Sequence, residues 1–195
     1  LKKHRPRRCF PPKRTVVRDK DILLLIQTNW SISGNTYYEK LLNETIIGFI
    51  YNTGLRSQEV ANLNLDDIDL ARQELTVILG KGNKHRRLGL NQEACSIIKK
   101  YLEHRPKSNS ERFFLLNNGK EISRETLAQR FSRLAERTGL DISLHSLRRG
   151  FATKHADAGR PLTLIQAALG HSSIVTTQNY ILPDIEAGIV KMKSW

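Results

Sequence analysis

Helical periodicity covers most of this sequence, and strand-like patterns are confined to one short window. Apolar residues recur at helical spacing in nine segments, at about 19–28, 38–53, 57–63, 92–103, 124–138, 144–158, 163–169, 174–180 and 184–191. Strand-like segments rich in apolar residues fall near 68–70, 75–79 and 86–90. Because that window is so short, a sheet cannot be the main scaffold. The sequence predicts a mainly α fold with a small three-stranded antiparallel β-sheet.

The first eighteen residues differ in composition from the rest of the chain. The first twenty positions hold nine Lys or Arg, three prolines and one acid, Asp19, without apolar periodicity. Such a stretch cannot bury a core, so it predicts a basic linker or arm over 1–18. The remainder predicts one domain over 19–182 and an amphipathic helical tail over 183–195. Because the chain begins with leucine and its only methionine is Met192, we expect a fragment of a longer protein.

The charge balance favours a polyanionic partner. Thirty-two Lys and Arg against 19 Asp and Glu give a formal net charge of +13. This excess favours nucleic acid over a small neutral substrate, although a merely basic protein is a common alternative. Cys9 and Cys95 are too far apart for a metal knuckle and suit a reducing cytosol. No segment has the length and apolarity of a membrane span, so we expect no membrane partner.

Residues 145–180 carry the strongest functional pattern. His145 and Arg148 stand three positions apart in a segment of helical periodicity, so their side chains share one face. Leu-Gly-His follows at 169–171, and Tyr180 lies nine positions after His171. Taken singly, each feature is common in a structural role, such as a solvated helix face or a core tyrosine. In this order and spacing they suit the binding of a phosphodiester that a phenol attacks.

Two upstream cations strengthen this interpretation. Arg56 follows Gly54, which can end the preceding apolar helix, and Glu59 could pair with Arg56 or anchor the turn. Taken alone, Arg56 is equally consistent with a surface helix start. Lys81 follows the strand at 75–79 in a Gly-Lys-Gly-Asn-Lys turn, which predicts a mobile basic hairpin. The turn lacks the spacing of a nucleotide-binding P-loop, so we expect it to approach a DNA backbone.

The chemistry of these residue types is complementary. Arg56 and Arg148 can neutralise the charge that builds on phosphate oxygens, and His171 can add a hydrogen bond to them. Tyr180 must lose its proton to attack, and His145 either removes that proton or orients the phosphate. A hairpin lysine can protonate the leaving 5′-oxygen.

A metal site is not predicted. His155 together with His145 and His171 could suggest zinc, but no cysteine or carboxylate completes the set at a usual spacing. Arginine, lysine and histidine can supply the electrostatic stabilisation that a metal ion supplies in many nucleases. We expect no metal and no other cofactor.

These blocks resemble the catalytic domain of the tyrosine recombinases, which include phage, integron and transposon integrases and Xer-type resolvases. The similarity runs from about Thr53 to Tyr180 and rests on four ordered motifs, which are Thr-Gly-Leu-Arg-x-x-Glu, Gly-Lys-Gly-Asn-Lys, His-Ser-Leu-Arg-Arg-Gly-Phe-Ala-Thr, and Leu-Gly-His-Ser-Ser with its following Asn-Tyr. The resemblance implies a catalytic set of Arg56, Lys81, His145, Arg148, His171 and the nucleophile Tyr180. Lys84 is the alternative catalytic lysine. We further predict DNA contacts from Lys84, Arg86, Arg87 and Arg149.

The resemblance also implies an activity and partners. It implies a site-specific recombinase that forms a 3′-phosphotyrosyl bond to double-stranded DNA and exchanges strands through a Holliday junction without metal or ATP. We expect a monomer alone, and a tetramer on DNA in which the tail at 183–195 docks on a neighbouring protomer, unless the tail caps its own domain. The family's separate DNA-clamping domain precedes such an arm and is expected to be absent from this fragment. Cytoplasmic, nucleoid-associated action follows.

Two other functions remain open from the sequence. A type IB topoisomerase uses similar chemistry but relaxes supercoils alone. A catalytically silent DNA-binding module would retain the basic charge without the reaction. The complete six-residue set disfavours the silent module.

Overall fold

The computed structural model of the protein describes residues 16–79 and 84–170. Its helices are α1 (Asp19–Ser31), α2 (Tyr37–Thr53), α3 (Ser57–Ala61), α4 (Gln92–His104), α5 (Arg124–Thr138), α6 (Leu144–Asp157) and α7 (Leu162–Leu169). The strands are β1 (Ile68–Asp69), β2 (Glu74–Leu79) and β3 (Lys84–Gly89). This confirms the predicted mainly helical class. The predicted helices at 174–180 and 184–191, and positions 1–15 of the predicted arm, lie outside the described residues.

The three strands form one antiparallel sheet in the order β1-β2-β3. Leu75 of β2 pairs with Leu88 of β3, and Val77 pairs with Arg86. Leu75, Val77 and Leu88 are buried, whereas Ile78, which follows Val77 and pairs with His85, is 57% exposed. Because paired residues of antiparallel strands point to the same face, Arg86 lies on the inner face of the sheet.

Helix α2 lies at the centre of the domain, with nearly every residue of its second half buried. It packs against α4 and α6. An ideal Cβ on Gly150 of α6 would lie 2.7 Å from the Tyr51 ring and 2.8 Å from the Val17 carbonyl. A side chain there would push α6 away from α2, so glycine permits the close approach of the two helices.

The carboxyl ends of α2 and α7 are brought to the same place by packing on α6. Phe151 and Ala152 of α6 form a small apolar cluster with Ile165 and Leu169 of α7. Helix α2 ends at Gly54 and α7 ends at Gly170, each in the left-handed conformation with φ of 67° and 62°. Both helices therefore stop abruptly and leave carbonyl oxygens without helical donors at the amino-terminal part of α6.

Candidate functional site

Three of the predicted site residues meet at one cavity of about 340 Å³. Its walls come from the turn between α2 and α3, the start of α5 and the start of α6, and they consist of Leu55, Arg56, Ser57, Gln58, Arg124, Leu144, His145 and Arg148. Arg56 is separated from His145 and Arg148 by about ninety positions of sequence. The fold therefore brings together the Arg56 motif and the His145–Arg148 motif, which are far apart in sequence but complementary in chemistry.

Arg148 is the largest of the fully buried side chains, and backbone carbonyls hold it in place. Its residue is 1% exposed. One terminal nitrogen, Nη1, donates to the Gly54 carbonyl at 2.7 Å, and Nη2 donates to the Leu169 carbonyl at 2.7 Å. These acceptors are the carboxyl ends of α2 and α7, which carry partial negative charge. The planar guanidinium is thus fixed in orientation at the cavity wall.

Gly54 makes this arrangement possible. Its φ of 67° is strained for a residue with a side chain, and an ideal Cβ would lie 2.6 Å from Phe151 and 2.9 Å from Leu169. The carbonyl of the same residue accepts from Arg148. The glycine that ends α2 therefore also positions the carbonyl oxygen that accepts the hydrogen bond from Arg148.

Arg56 lies at the N-cap of α3 and is the more exposed of the two arginines. Its backbone N–H donates to Glu59 Oε2 at 2.8 Å, and Nη1 donates to Glu59 Oε1 at 3.0 Å. Nη2 donates to the Gly170 carbonyl at 3.2 Å. The side chain stays 43% exposed, so the guanidinium can still meet a ligand in the cavity. The prediction that Glu59 pairs with Arg56 or anchors its turn is confirmed in both respects.

Within the part of the chain that the structure describes, the Glu59 carboxylate lies among three arginines. Besides Arg56, it receives Nη1 and Nη2 of Arg86 at 2.9 and 2.8 Å, and Arg148 Nη1 lies 3.8 Å away. Burial raises the pKa of the Glu59 carboxyl, but hydrogen bonds from Arg86 and the Arg56 backbone, with the arginine charges, outweigh it. The pKa therefore lies below its usual value, and the ionised cluster keeps an excess of positive charge.

Arg86 and Arg149, two of the predicted DNA-binding residues, are largely buried in the structure. The Arg86 side chain is 9% exposed, forks onto Glu59 and donates Nε to the Ala168 carbonyl at 2.8 Å. Arg149 is 4% exposed on the inner side of α6. Their burial gives the predicted DNA contacts of Arg86 and Arg149 no support from the structure, and both contacts stay predictions from the sequence. Arg87 is exposed on β3, so its DNA contact stays a prediction.

The last three carbonyls at the end of α7 are each taken by a different arginine. Ala168 accepts from Arg86, Leu169 from Arg148 and Gly170 from Arg56. Guanidinium groups at a helix carboxyl end are favoured by the helix dipole. This end of α7 is therefore the common support of the arginine cluster.

Several of the remaining predicted site residues lie outside the part of the chain that the structure describes. Lys81, His171 and Tyr180, and the side chain of Lys84, lie outside the described residues. His145 is exposed at the cavity, one helical turn before Arg148. Among residues 16–79 and 84–170, no three His, Cys, Asp or Glu side chains are grouped to hold a metal ion. Within the same ranges, no helix has the length and apolarity needed to cross a bilayer.

Two features of the site were missed by sequence reasoning. Arg124, the first residue of α5, lines the cavity, and nothing in its surroundings in sequence indicates this. The inward direction of Arg86 could have been predicted from the sequence, because Arg86 and Leu88 of β3 alternate with exposed residues, and Leu90 directly after the strand continues the pattern. That alternation places a charge among buried leucines, which calls for a buried counter-ion.

Comparison with known proteins agrees with this geometry. The sequence profile of the phage integrase family matches residues 17–186. The tyrosine recombinase XerC of Alcanivorax borkumensis is 36% identical over 152 residues, which cover 75% of this chain and 49% of that protein. The tyrosine recombinase XerA of Pyrococcus furiosus is 33% identical over 144 residues, covering 73% of this chain and 50% of that protein. The chain spans about half the length of the curated relatives it matches.

Solved structures give the same result. A crystal structure of XerA recombinase superposes with a TM-score of 0.76 at 26% identity, covering 87% of this chain and 61% of that one. The structure of XerH site-specific recombinase bound to difH substrate superposes with a TM-score of 0.71 at 26% identity, covering 86% of this chain and 50% of that one. The structure of the Tn1549 transposon integrase in complex with a circular intermediate DNA superposes with a TM-score of 0.73 at 19% identity. It covers 93% of this chain and 67% of that one, and it supports the fold alone.

The family profile spans all the described elements of the domain. The cavity joins Arg56, His145 and Arg148, three of the residues on which the resemblance rests. The chain therefore belongs to the phage integrase family, the tyrosine recombinases.

Proposed function

We propose that this chain is the catalytic domain of a site-specific DNA recombinase that cleaves and rejoins strands through a 3′-phosphotyrosyl bond. The observation that carries the proposal is the meeting of Arg56, His145 and Arg148 at one cavity with an excess of positive charge. A phosphodiester is anionic, and its charge becomes concentrated on the non-bridging oxygens as a nucleophile attacks. Preorganised cations at that point stabilise the transition state more than the ground state.

The two arginines contribute in different ways. Arg148 is held by the Gly54 and Leu169 carbonyls, so it need not reorganise when a phosphate arrives. Arg56 is 43% exposed and can move onto the ligand. Together they can contact both non-bridging oxygens, and His145 at the cavity rim either accepts the phenolic proton or orients the phosphate. In this proposal no ATP is needed, because the phosphotyrosyl ester conserves the energy of the broken phosphodiester. No metal ion is needed, because cationic side chains supply the positive charge that a metal ion supplies in many nucleases.

Tyr180, Lys81 and His171 complete the proposal from the sequence. Tyr180 attacks phosphorus and becomes esterified to the 3′-phosphate, while Lys81 donates a proton to the departing 5′-oxygen, with Lys84 as its alternative. His171 donates a hydrogen bond to the phosphate. A 5′-hydroxyl of a second strand then attacks the phosphotyrosine, which releases Tyr180 and restores the phosphodiester. Reciprocal exchanges of this kind pass through a Holliday junction.

The proposed partner is double-stranded DNA, and the net charge of +13 supports it. We expect monomers in free solution and a tetramer on DNA, with the tail at 183–195 docking on a neighbouring protomer. The apolar residues of that tail, among them Ile185, Ile189 and Val190, support this arrangement. Action in the cytoplasm at the nucleoid follows from the partner.

Covalent trapping tests the proposal. A library of duplexes with random central sequence and a nick in one strand is incubated with the protein, and adducts are separated under denaturing conditions. Loss of the short fragment beyond the nick prevents religation, so the native chain accumulates a covalent adduct and Tyr180→Phe accumulates none. An adduct of equal yield in the Phe variant contradicts the assignment. Relaxation of supercoiled plasmid by the dilute protein favours a topoisomerase instead, and DNA binding without an adduct favours the silent module.

A further inference from the structure

The Arg86–Glu59 ion pair is charged and buried, yet it does not border the cavity. Both side chains are about one-tenth exposed, and Arg86 is not among the residues that line the wall. Burying two ions costs solvation that their attraction only partly returns, and an apolar pair of similar volume often gives equal stability. The pair therefore calls for an explanation beyond the stability of the fold.

Arg86 occupies the oxygens that the other arginines compete for. Its two terminal nitrogens lie 2.9 and 2.8 Å from the two Glu59 oxygens, in the parallel fork that guanidinium and carboxylate prefer. Arg56 shares the first of these oxygens, and Arg148 Nη1 lies 3.8 Å from the second. Without Arg86, the negative charge of Glu59 would be compensated by Arg56 and Arg148 alone.

We propose that Arg86 is a positioning residue that neutralises Glu59 and so keeps the charges of Arg56 and Arg148 available for phosphate. The inference rests on the proposed function, in which those two arginines bind the scissile phosphate. With Arg86 present, the three arginines exceed Glu59 by two charges; without it, Arg56 and Arg148 exceed Glu59 by only one. Glu59 can then orient Arg56 without cancelling the field that attracts the ligand.

The geometry also explains why this position takes arginine. Arg86 uses Nε for the Ala168 carbonyl at 2.8 Å and both terminal nitrogens for Glu59, so three donors act in one plane. A lysine ammonium has no such planar set of donors. Gly170 leaves room for the guanidinium, since an ideal Cβ there would lie 2.9 Å from Arg86 Nη1. Arg86 therefore links β3, α3 and the end of α7 through one group.

The test compares Arg86→Met with the double variant Glu59→Gln, Arg86→Met. Methionine keeps much of the side-chain length but removes the charge. We expect Arg86→Met to lower single-turnover cleavage of the trapping substrate by about 10- to 100-fold, less than loss of a direct transition-state donor. The double variant removes the freed carboxylate as well, so its rate is expected to recover most of the loss seen in Arg86→Met.

Arg105→Met is the matched control, because Arg105 also donates to several carbonyls but lies outside the cavity wall. It is expected to cleave at the native rate under conditions in which all variants are folded. A double variant as slow as Arg86→Met, or an Arg86→Met variant as fast as the native chain, overturns the inference. The first result would mean that Arg86 acts on cleavage by a route other than the charge of Glu59, and the second that the pair serves packing alone.

A second measurement separates this inference from the proposed function. Inorganic phosphate is titrated into the native chain and the variants, and the Arg148 guanidinium is followed by NMR. We expect the dissociation constant to rise severalfold in Arg86→Met and to return toward the native value in the double variant. If the native chain forms no adduct, the proposed function fails, but this titration still decides the inference. Equal phosphate affinity in all three proteins contradicts it.

Discussion

Arg148 and Arg105 both donate to backbone carbonyls, but their surroundings differ. Arg105, after the end of α4, donates to the carbonyls of Ser110, Arg112 and Phe113, at 2.9, 2.8 and 3.2 Å. Arg148 donates to two carbonyls from different helices and lies 3.8 Å from Glu59. Arg105 fastens one nearby segment of the chain. Arg148 lies at a cavity wall shared with Arg56, Arg124 and His145.

The difference shows which part of an arginine site indicates function. Carbonyl acceptors alone are an ordinary way to satisfy a guanidinium, as Arg105 illustrates. The concentration of like charge around Arg148 opposes folding and needs an anion to relieve it. In this chain, the nearby like charges rather than the number of hydrogen bonds distinguish Arg148 from Arg105, and they support the role proposed for Arg148.

The largest expected effect is that of Arg148→Ala on catalysis. Removing the guanidinium takes away a preorganised donor, so single-turnover cleavage at saturating protein falls by about 10²- to 10³-fold or more. Arg56→Ala is expected to act in the same direction, and both variants are expected to keep duplex affinity within a few-fold of the native value. Cleavage of the trapping substrate and a binding titration measure the two quantities. Normal cleavage with weakened binding would mean that these arginines are ordinary phosphate anchors.

Arg105→Met is expected to change stability and leave catalysis intact. The variant leaves carbonyls at 110–113 without a charged donor, which costs about 1–3 kcal/mol in the free energy of unfolding. Urea denaturation measures this loss, and the trapping substrate measures cleavage below the unfolding range. A cleavage defect as large as that of Arg148→Ala would remove the distinction between the two arginines.

The smallest expected effect is a loss of folding stability at acid pH that arises from Glu59. The folded-state pKa of Glu59 lies below its ordinary value of 4.5, so the unfolded chain binds its proton more tightly. The resulting stabilisation is fully present above about pH 4.5 and is lost as the pH falls through the lower folded-state pKa. Urea midpoints measured between pH 3 and pH 7 are expected to fall less steeply with acid in Glu59→Gln. Equal slopes in the two proteins would contradict this, and Arg105→Met is expected to keep the native slope.

Much of the fold could be predicted because local signals agree with the tertiary structure. Helix α5 lies at its predicted bounds, 124–138, since Ser123 caps its start and Gly139 ends it. Helix α1 was predicted to end near 28 but continues to Ser31, because the Trp30 indole is held by Glu44 across the helix pair. Such a tertiary contact leaves no periodic signal in the sequence.

Sequence motifs indicated part of the candidate site, whereas positions that depend on tertiary packing were missed. The motifs indicated Arg56 and Arg148, and the structure brings both to one cavity. The burial of Arg86 and Arg149 was missed because basic residues are usually exposed, although the alternation of Arg86 with Leu88 indicated it for Arg86. The cavity position of Arg124 follows only from the packing of α5 against α3, which sequence patterns do not encode.

The acceptors at the end of α7 have an evolutionary consequence. The arginine cluster is supported there by the carbonyls of residues 168–170, and every amino acid has a carbonyl. Substitution at 168 can therefore change the side chain without removing an acceptor. Insertion or deletion of one residue within α7 is different, because it rotates all three carbonyls by about 100°. The support of the site tolerates drift in residue identity but constrains the length of this helix.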